Sequence, residues 1–288
     1  MALIPPFFLD CVVAIGAKNS TGATQWVGTG FLFGKLIEPV QDPANKQYTV
    51  YLVTNKHVLN NHKAIVLRFN PESGQAAREF NENLVDASGN QSWTGHPLDK
   101  VDVAVISLNG PKLRAEALRF ALFTSDETSF TKQAMKDGEI MEGDGVFMLG
   151  FPMGHVGNEG QYALLRSGVI ARVREMLENR GHDFVVDAWS FPGNSGGPVV
   201  LKPEALSING TKAHTKAVLI GVVKGNLNYQ EVAVSPQTGR TRIAFEQNTG
   251  LSLVEPVDHI LDTIAEDESR KRKSLDPVVP AKDPQVQA

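Results

Sequence analysis

The sequence predicts an all-β protein: two six-stranded antiparallel β-barrels, a linker between them and a C-terminal α-helix. Three observations predict it. Short β-type runs recur in two sets of six, turn residues separate the runs, and helical spacing of apolar residues follows the second set.

The first set comprises residues 11–18, 27–34, 48–54, 64–69, 82–86 and 102–108. Tyr48-Thr49-Val50-Tyr51-Leu52-Val53-Thr54 is its clearest member, a β-branched and aromatic run suited to a buried strand. A polar, helix-tolerant linker covers residues 110–143. The second set comprises 145–151, 162–173, 183–190, 198–201, 217–224 and 241–246. Apolar residues at 257, 260, 261 and 264 then share one face of a helix. Arg270-Lys271-Arg272-Lys273 beside Glu266-Asp267-Glu268 reads as a solvated helix end, and Pro277, Pro280 and Pro284 mark a tail expected to lack order. The expected domains are therefore an N-terminal barrel over 1–109, the linker 110–143, a C-terminal barrel over 144–255, and the helix and tail over 256–288.

Chemistry concentrates in Gly193-Asn194-Ser195-Gly196-Gly197-Pro198, which runs directly into Val199-Val200. A seryl oxygen that attacks a carbonyl must protrude from a tight turn while backbone N–H groups converge on the developing negative charge. Only glycine permits so close a backbone approach cheaply. By itself the hexad reads equally as a Gly/Ser/Pro-rich surface turn. Elsewhere the chain supplies the two groups a nucleophile needs. His57 follows the strand-like run 48–54, and Asp102 opens Val103-Ala104-Val105-Ile106-Ser107-Leu108, where burial would fix a carboxylate against an imidazole. The three lie 45 and 93 residues apart in the order His, Asp, Ser, so no single helix or hairpin unites them.

On these residues the sequence resembles the chymotrypsin-like (trypsin-fold) serine proteases, and among them the disulfide-free, HtrA-like bacterial and organellar branch. Gly28-Thr29-Gly30-Phe31-Leu32-Phe33 looks like that branch's early strand, Val146-Phe147-Met148-Leu149-Gly150-Phe151-Pro152-Met153-Gly154 like the opening of its second barrel, and Ser167-Gly168-Val169-Ile170-Ala171 like the next strand. The resemblance covers roughly residues 11 to 255. It implies that Ser195 is the nucleophile, His57 the general base and then acid, and Asp102 the residue that holds the imidazole tautomer. It further implies an oxyanion hole from the N–H groups of Gly193 and Ser195. Val223-Lys224-Gly225 would pair with a polypeptide substrate bound as an extended strand.

Asn194 departs from the digestive enzymes, which carry aspartate there to pair with a freshly cut N-terminus; activation by clipping is therefore not expected. Trp189 occupies a position that helps to floor the side-chain pocket in relatives. Its uncharged indole argues against a preference for Lys or Arg and for aliphatic side chains, although Trp189 also reads as an ordinary packed residue. No PDZ-like extension fits the last residues. A regulatory protein partner is compatible with this reading.

Composition bounds the alternatives. The 288 residues, 42% hydrophobic and 21% charged, can bury about three-quarters of the unfolded chain's surface. One cysteine, Cys11, forms no intramolecular disulfide and fits a reducing compartment or a disulfide-free branch of the family. A net charge of −4 offers no attraction for nucleic acid or an anionic membrane. The first ten residues lack a basic start and are broken by Pro5, Pro6 and Asp10, and no run reaches about 18 apolar residues; the expectation is a cytoplasmic protein without a membrane span. Seven scattered histidines show no metal-binding spacing, so neither metal nor cofactor is expected. A serine esterase of another fold is disfavoured because its histidine comes last in sequence. A catalytically silent peptide-binding module on the same fold remains the alternative.

Overall fold

β-Branched and aromatic runs become strands wherever one face meets apolar neighbours. A computed structural model describes residues 4–40 and 42–275. The chain opens with a one-turn helix, α1 (Phe7–Asp10), then β1 (Val12–Lys18), β2 (Thr24–Leu36), β3 (Tyr48–Thr54) and the one-turn α2 (Lys56–Leu59). Next come β4 (Ala64–Pro71), β5 (Arg78–Asn83), β6 (Thr94–Gly95) and β7 (Ala104–Leu108). The stretch 110–143 carries α3 (Gly110–Ala115), β8 (Leu118–Arg119), β9 (Phe123–Thr124) and α4 (Lys132–Asp137). Asn109 and Thr131 cap the two helices by accepting the N–H of Lys112 and of Ala134.

The second half contains β10 (Gly145–Gly150), β11 (Leu164–Arg172), α5 (Arg174–Leu177), β12 (Phe184–Asp187), β13 (Pro198–Leu201), β14 (Val218–Val234), β15 (Thr241–Pro256) and α6 (Val257–Leu275). Its strands close into a barrel in the order β10-β11-β12-β15-β14-β13. The first half is a nine-stranded sheet with the path β5-β4-β1-β2-β3-β7-β6, to which β8 and β9 add on β4 and β2. The architecture is mostly β, as expected, but only the second set closes into a barrel. The first ends in the two-residue β6 and in β5, whose Arg78-Glu79-Phe80-Asn81-Glu82-Asn83 places charge along an edge.

Apolar packing forms three layers. One cluster, with Leu32, Leu52, Ile65 and Ile106, fills the first sheet. Another, with Met148, Val199, Ile220 and Val254, fills the closed barrel. The third lies between them, joining Phe31, Tyr51 and Val103 to Leu149, Val200 and Leu219 and to Val257, Ile260 and Ile264 of α6. The helix predicted from positions 257, 260 and 264 thus packs where both halves meet, and it extends through the basic cluster. Arg270 reaches the Trp93 carbonyl and the Thr94 hydroxyl, while Arg272 pairs along the helix with Glu268. The Pro277–Pro284 tail lies outside the described residues. Cys11 is fully buried, and burial, with Asp10 alongside, pushes its thiol pKa well up.

Glu142 fixes the entry to α5. Its carboxylate accepts the N–H groups of Val173 at 2.9 Å and Arg174 at 3.2 Å, and the Arg174 Nε–H at 2.9 Å. Burial pushes its pKa up, but these donors outweigh it and lower the value from 4.5 to about 2. A depressed folded-state value means stability that is present above pH 4.5 and lost as pH falls towards 2. Glu142→Gln is therefore expected to lower stability at pH 7 by about 1 kcal/mol, or about 2 to 4 °C, a figure discounted because solvent reaches the carboxylate. Thermal unfolding of both proteins across pH checks it: the gap should close near pH 2.

Candidate active site

Three elements deliver the candidate residues. β3 ends at Thr54, Asn55 turns the chain, and His57 sits on the single turn α2. Asp102 lies two residues before β7, outside the strand. Ser195 stands in the turn that leads into β13.

Asp102 meets His57 twice. Its Oδ2 lies 2.5 Å from His57 Nδ1, and its Oδ1 accepts the His57 backbone N–H at 3.2 Å. Where the Asp102 carboxylate is the acceptor, Nδ1 is the donor and, in the neutral ring, Nε2 is the nitrogen left without a proton. The Asp102 backbone is held at both ends: its C=O accepts from Asn55 Nδ2 at 2.6 Å, and its N–H donates to Glu255 Oε1 at 3.0 Å.

The serine turn depends on two glycines. Gly193 has φ +99° and Gly196 φ +82°, in the left-handed region where glycine carries no steric cost. A Cβ on Gly193 would lie 2.4 Å from the Phe151 carbonyl oxygen, and one on Gly196 2.1 Å from that of Thr29. Thr29 clamps the turn, donating its hydroxyl to the Gly193 carbonyl at 2.6 Å and its N–H to the Ser195 carbonyl at 2.9 Å. Asn194 is buried and donates its N–H to the Phe191 carbonyl at 2.9 Å. Among the described residues, the N–H groups of Gly193 and Ser195 donate to no protein acceptor, and the Ser195 hydroxyl has no hydrogen-bond partner. His57, Gly193 and Ser195 line one cleft of about 440 Å³, together with Val223, Lys224 and Gly225 of β14.

A family model for the trypsin-like peptidase domain matches residues 28–204. The chain belongs to the trypsin-like peptidase domain family. No curated protein matches the chain. Among solved structures, it is similar to the apo MamO protease domain of Magnetospirillum magneticum, at 16% identity and TM-score 0.43, covering 89% of this chain and 96% of that one. It is also similar to HBP, at 11% identity and TM-score 0.49, covering 93% of this chain and 95% of that one. A third similarity is to the Drosophila Grass clip serine protease of the Toll pathway, at 13% identity and TM-score 0.47, covering 91% of this chain and 69% of that one.

The cleft has further walls that sequence reasoning missed: Val27, Ser190, Phe191, Pro192 and Asn226. Ser190 is buried, with its hydroxyl 2.8 Å from that of Ser252, whose own hydrogen goes to the Ala188 carbonyl. None of the lining residues carries a carboxylate. Trp189 does not line the cleft; its indole is 48% exposed, stacks on Phe191 at 6.2 Å and lies over Gly250. Lys224 lines the cleft, yet its ammonium turns away to the Lys100 carbonyl, Asp183 and Glu255, each at 3.0 Å. Burial lowers its pKa, and the two carboxylates more than offset this, so it stays above the ordinary lysine value.

Among the described residues, no group of three or more His, Cys, Asp or Glu is placed to hold a metal ion, and no helix is long and apolar enough to cross a membrane.

Proposed function

We propose that the chain is a serine endopeptidase that hydrolyses peptide bonds through an acyl-enzyme intermediate. One observation carries the reading: the His57–Asp102 pair opens, with Ser195 and two undonated N–H groups, onto a single cleft. Ser195 Oγ attacks the scissile carbonyl as His57 Nε2 takes its proton, and Asp102 holds the imidazole in the tautomer that leaves Nε2 free. The N–H groups of Gly193 and Ser195 receive the oxyanion, each worth about 2.7 to 4 kcal/mol. The imidazolium then returns its proton to the leaving amine, and water, activated by the same imidazole, releases the acid.

A polypeptide segment would pair with Val223-Lys224-Gly225 as an added strand, which favours main-chain over side-chain recognition. A cleft without a carboxylate supports selection of uncharged side chains at the pocket, since a buried Lys or Arg would lack a counter-charge. The buried thiol and absent disulfides support a disulfide-free, HtrA-like branch working in a reducing compartment.

The second reading is a catalytically silent peptide-binding module, and the unpartnered Ser195 hydroxyl favours it. Catalytic hydrogen bonds often tighten only with substrate bound, which returns the balance to the enzyme. A fluorophosphonate probe separates the two. The enzyme predicts covalent labelling at Ser195, abolished by heating and by Ser195→Ala; the silent module predicts no labelling with intact peptide affinity. Proteome-wide profiling of cleavage sites would then define the pocket preference.

A further inference from the structure

Glu255 ends β15 in the second half of the molecule, yet its side chain is fully buried beside residues of the first. A charge removed from water needs partners in every direction. Glu255 has three. Oε1 receives the Asp102 N–H and the Lys224 ammonium, both at 3.0 Å, and Oε2 lies 2.7 Å from His259 Nδ1 on α6. Burial pushes its pKa up, but these three donors prevail and hold it below the usual glutamate value. Around this core, Asp183 faces Lys224, His182 and His96 pack on His259, and Asp262 approaches His96.

Asp102 needs such support because it lies in irregular chain between β6 and β7, where no sheet ladder fixes it. Lys224 adds a second tie to the same segment by donating to the Lys100 carbonyl at 3.0 Å. Two hydrogen bonds thus fasten the loop carrying Asp102 to the half that carries Ser195, and Lys224 itself belongs to the strand lining the cleft.

We propose that Glu255 is a positioning residue: through Asp102, Lys224 and His259 it sets the orientation of the His57–Asp102 pair relative to Ser195 and the substrate-facing strand. The inference rests on the serine-peptidase reading for its kinetic consequences. It acts through other groups and touches no reacting atom. Preorganised groups must hold their geometry within about 0.5 Å, so a loosened Asp102 loop lowers turnover more than it weakens binding.

The test is Glu255→Gln in the full chain, read in two ways. Steady-state hydrolysis of a fluorogenic peptide should show kcat reduced about tenfold with KM within about twofold. Proton NMR should show the downfield His57 Nδ1–H resonance shifted or broadened, a readout that needs no activity. Should wild type neither cleave nor take the fluorophosphonate label, the peptidase reading falls, while the resonance still tests the positioning role. Should Glu255→Gln unfold, the His259 variants decide: His259→Asn keeps a donor at the Nδ1 position facing Glu255 and should keep wild-type kinetics, whereas His259→Phe should reproduce the kcat loss. A folded Glu255→Gln with kcat within twofold of wild type and an unchanged His57 resonance overturns the proposal, as does a His259→Phe indistinguishable from wild type.

Discussion

Replacing Ser195 by Ala, or His57 by Ala, is expected to lower turnover of a peptide substrate by about 10⁶-fold, and the double variant should be no worse. On the serine-endopeptidase reading the groups act as one unit: without the imidazole the hydroxyl keeps its proton, and without the hydroxyl the imidazole has nothing to activate. Some rate over water should survive from the Gly193 and Ser195 N–H groups. Among the described residues the Ser195 hydroxyl has no hydrogen-bond partner, so Ser195→Ala should leave stability nearly unchanged, whereas His57→Ala gives up the Nδ1 bond to Asp102 and should cost about 1 kcal/mol. Single-turnover kinetics with thermal unfolding in parallel checks both parts. Undiminished hydrolysis by both single variants would eliminate the mechanism.

Asp102→Asn should cost about 10⁴-fold in kcat, for a reason visible in the hydrogen bonds. Asp102 accepts from His57 at both oxygens, from the backbone N–H and from Nδ1. An asparagine keeps one acceptor. If its carbonyl serves the backbone N–H, its NH₂ faces Nδ1 and stabilises the tautomer protonated at Nε2, which cannot take the serine proton. The Asn55 and Glu255 bonds to the Asp102 backbone hold the main chain of this position in place, so the substitution changes the side-chain chemistry while the backbone stays anchored. Measuring kcat with the His57 ring-nitrogen shifts distinguishes a wrong tautomer from a displaced ring; a variant with full activity would refute the assigned role of Asp102.

Much of the site was legible because its residues announce their constraints locally. The glycines of 193–197 mark a turn that no side chain fits, and His57 and Asp102 each adjoin a long apolar run. Where polarity rather than apolarity accompanied a strand, the sequence misled. β5 was expected at 82–86 but is Arg78–Asn83, a charged edge with little to bury. β14 and β15 were expected at 217–224 and 241–246, yet they continue as a ribbon over Val218–Val234 and Thr241–Pro256. There Asn228, Gln230 and Glu231 pair with Asn248, Glu246 and Phe245, so backbone hydrogen bonds rather than a core define the strands. The role proposed for Glu255 was not legible, since its partners come from residues 102, 224 and 259 and meet only on folding. A lone carboxylate inside Leu251-Ser252-Leu253-Val254-Glu255-Pro256-Val257 was the available signal, as such a charge must be paired if the run is buried.

The apolar layer shared by both halves and α6 has a consequence for how the molecule fails. Phe31 and Val103 share this cluster with Leu149, Val200 and Ile260, so each half has its own apolar interior and also covers part of the other's, and excising either would expose that shared face. Heat that parts these contacts also separates the imidazole from the alcohol. On the serine-endopeptidase reading, hydrolysis is therefore expected to be lost no later than this shared layer opens, whatever order the two interiors then follow.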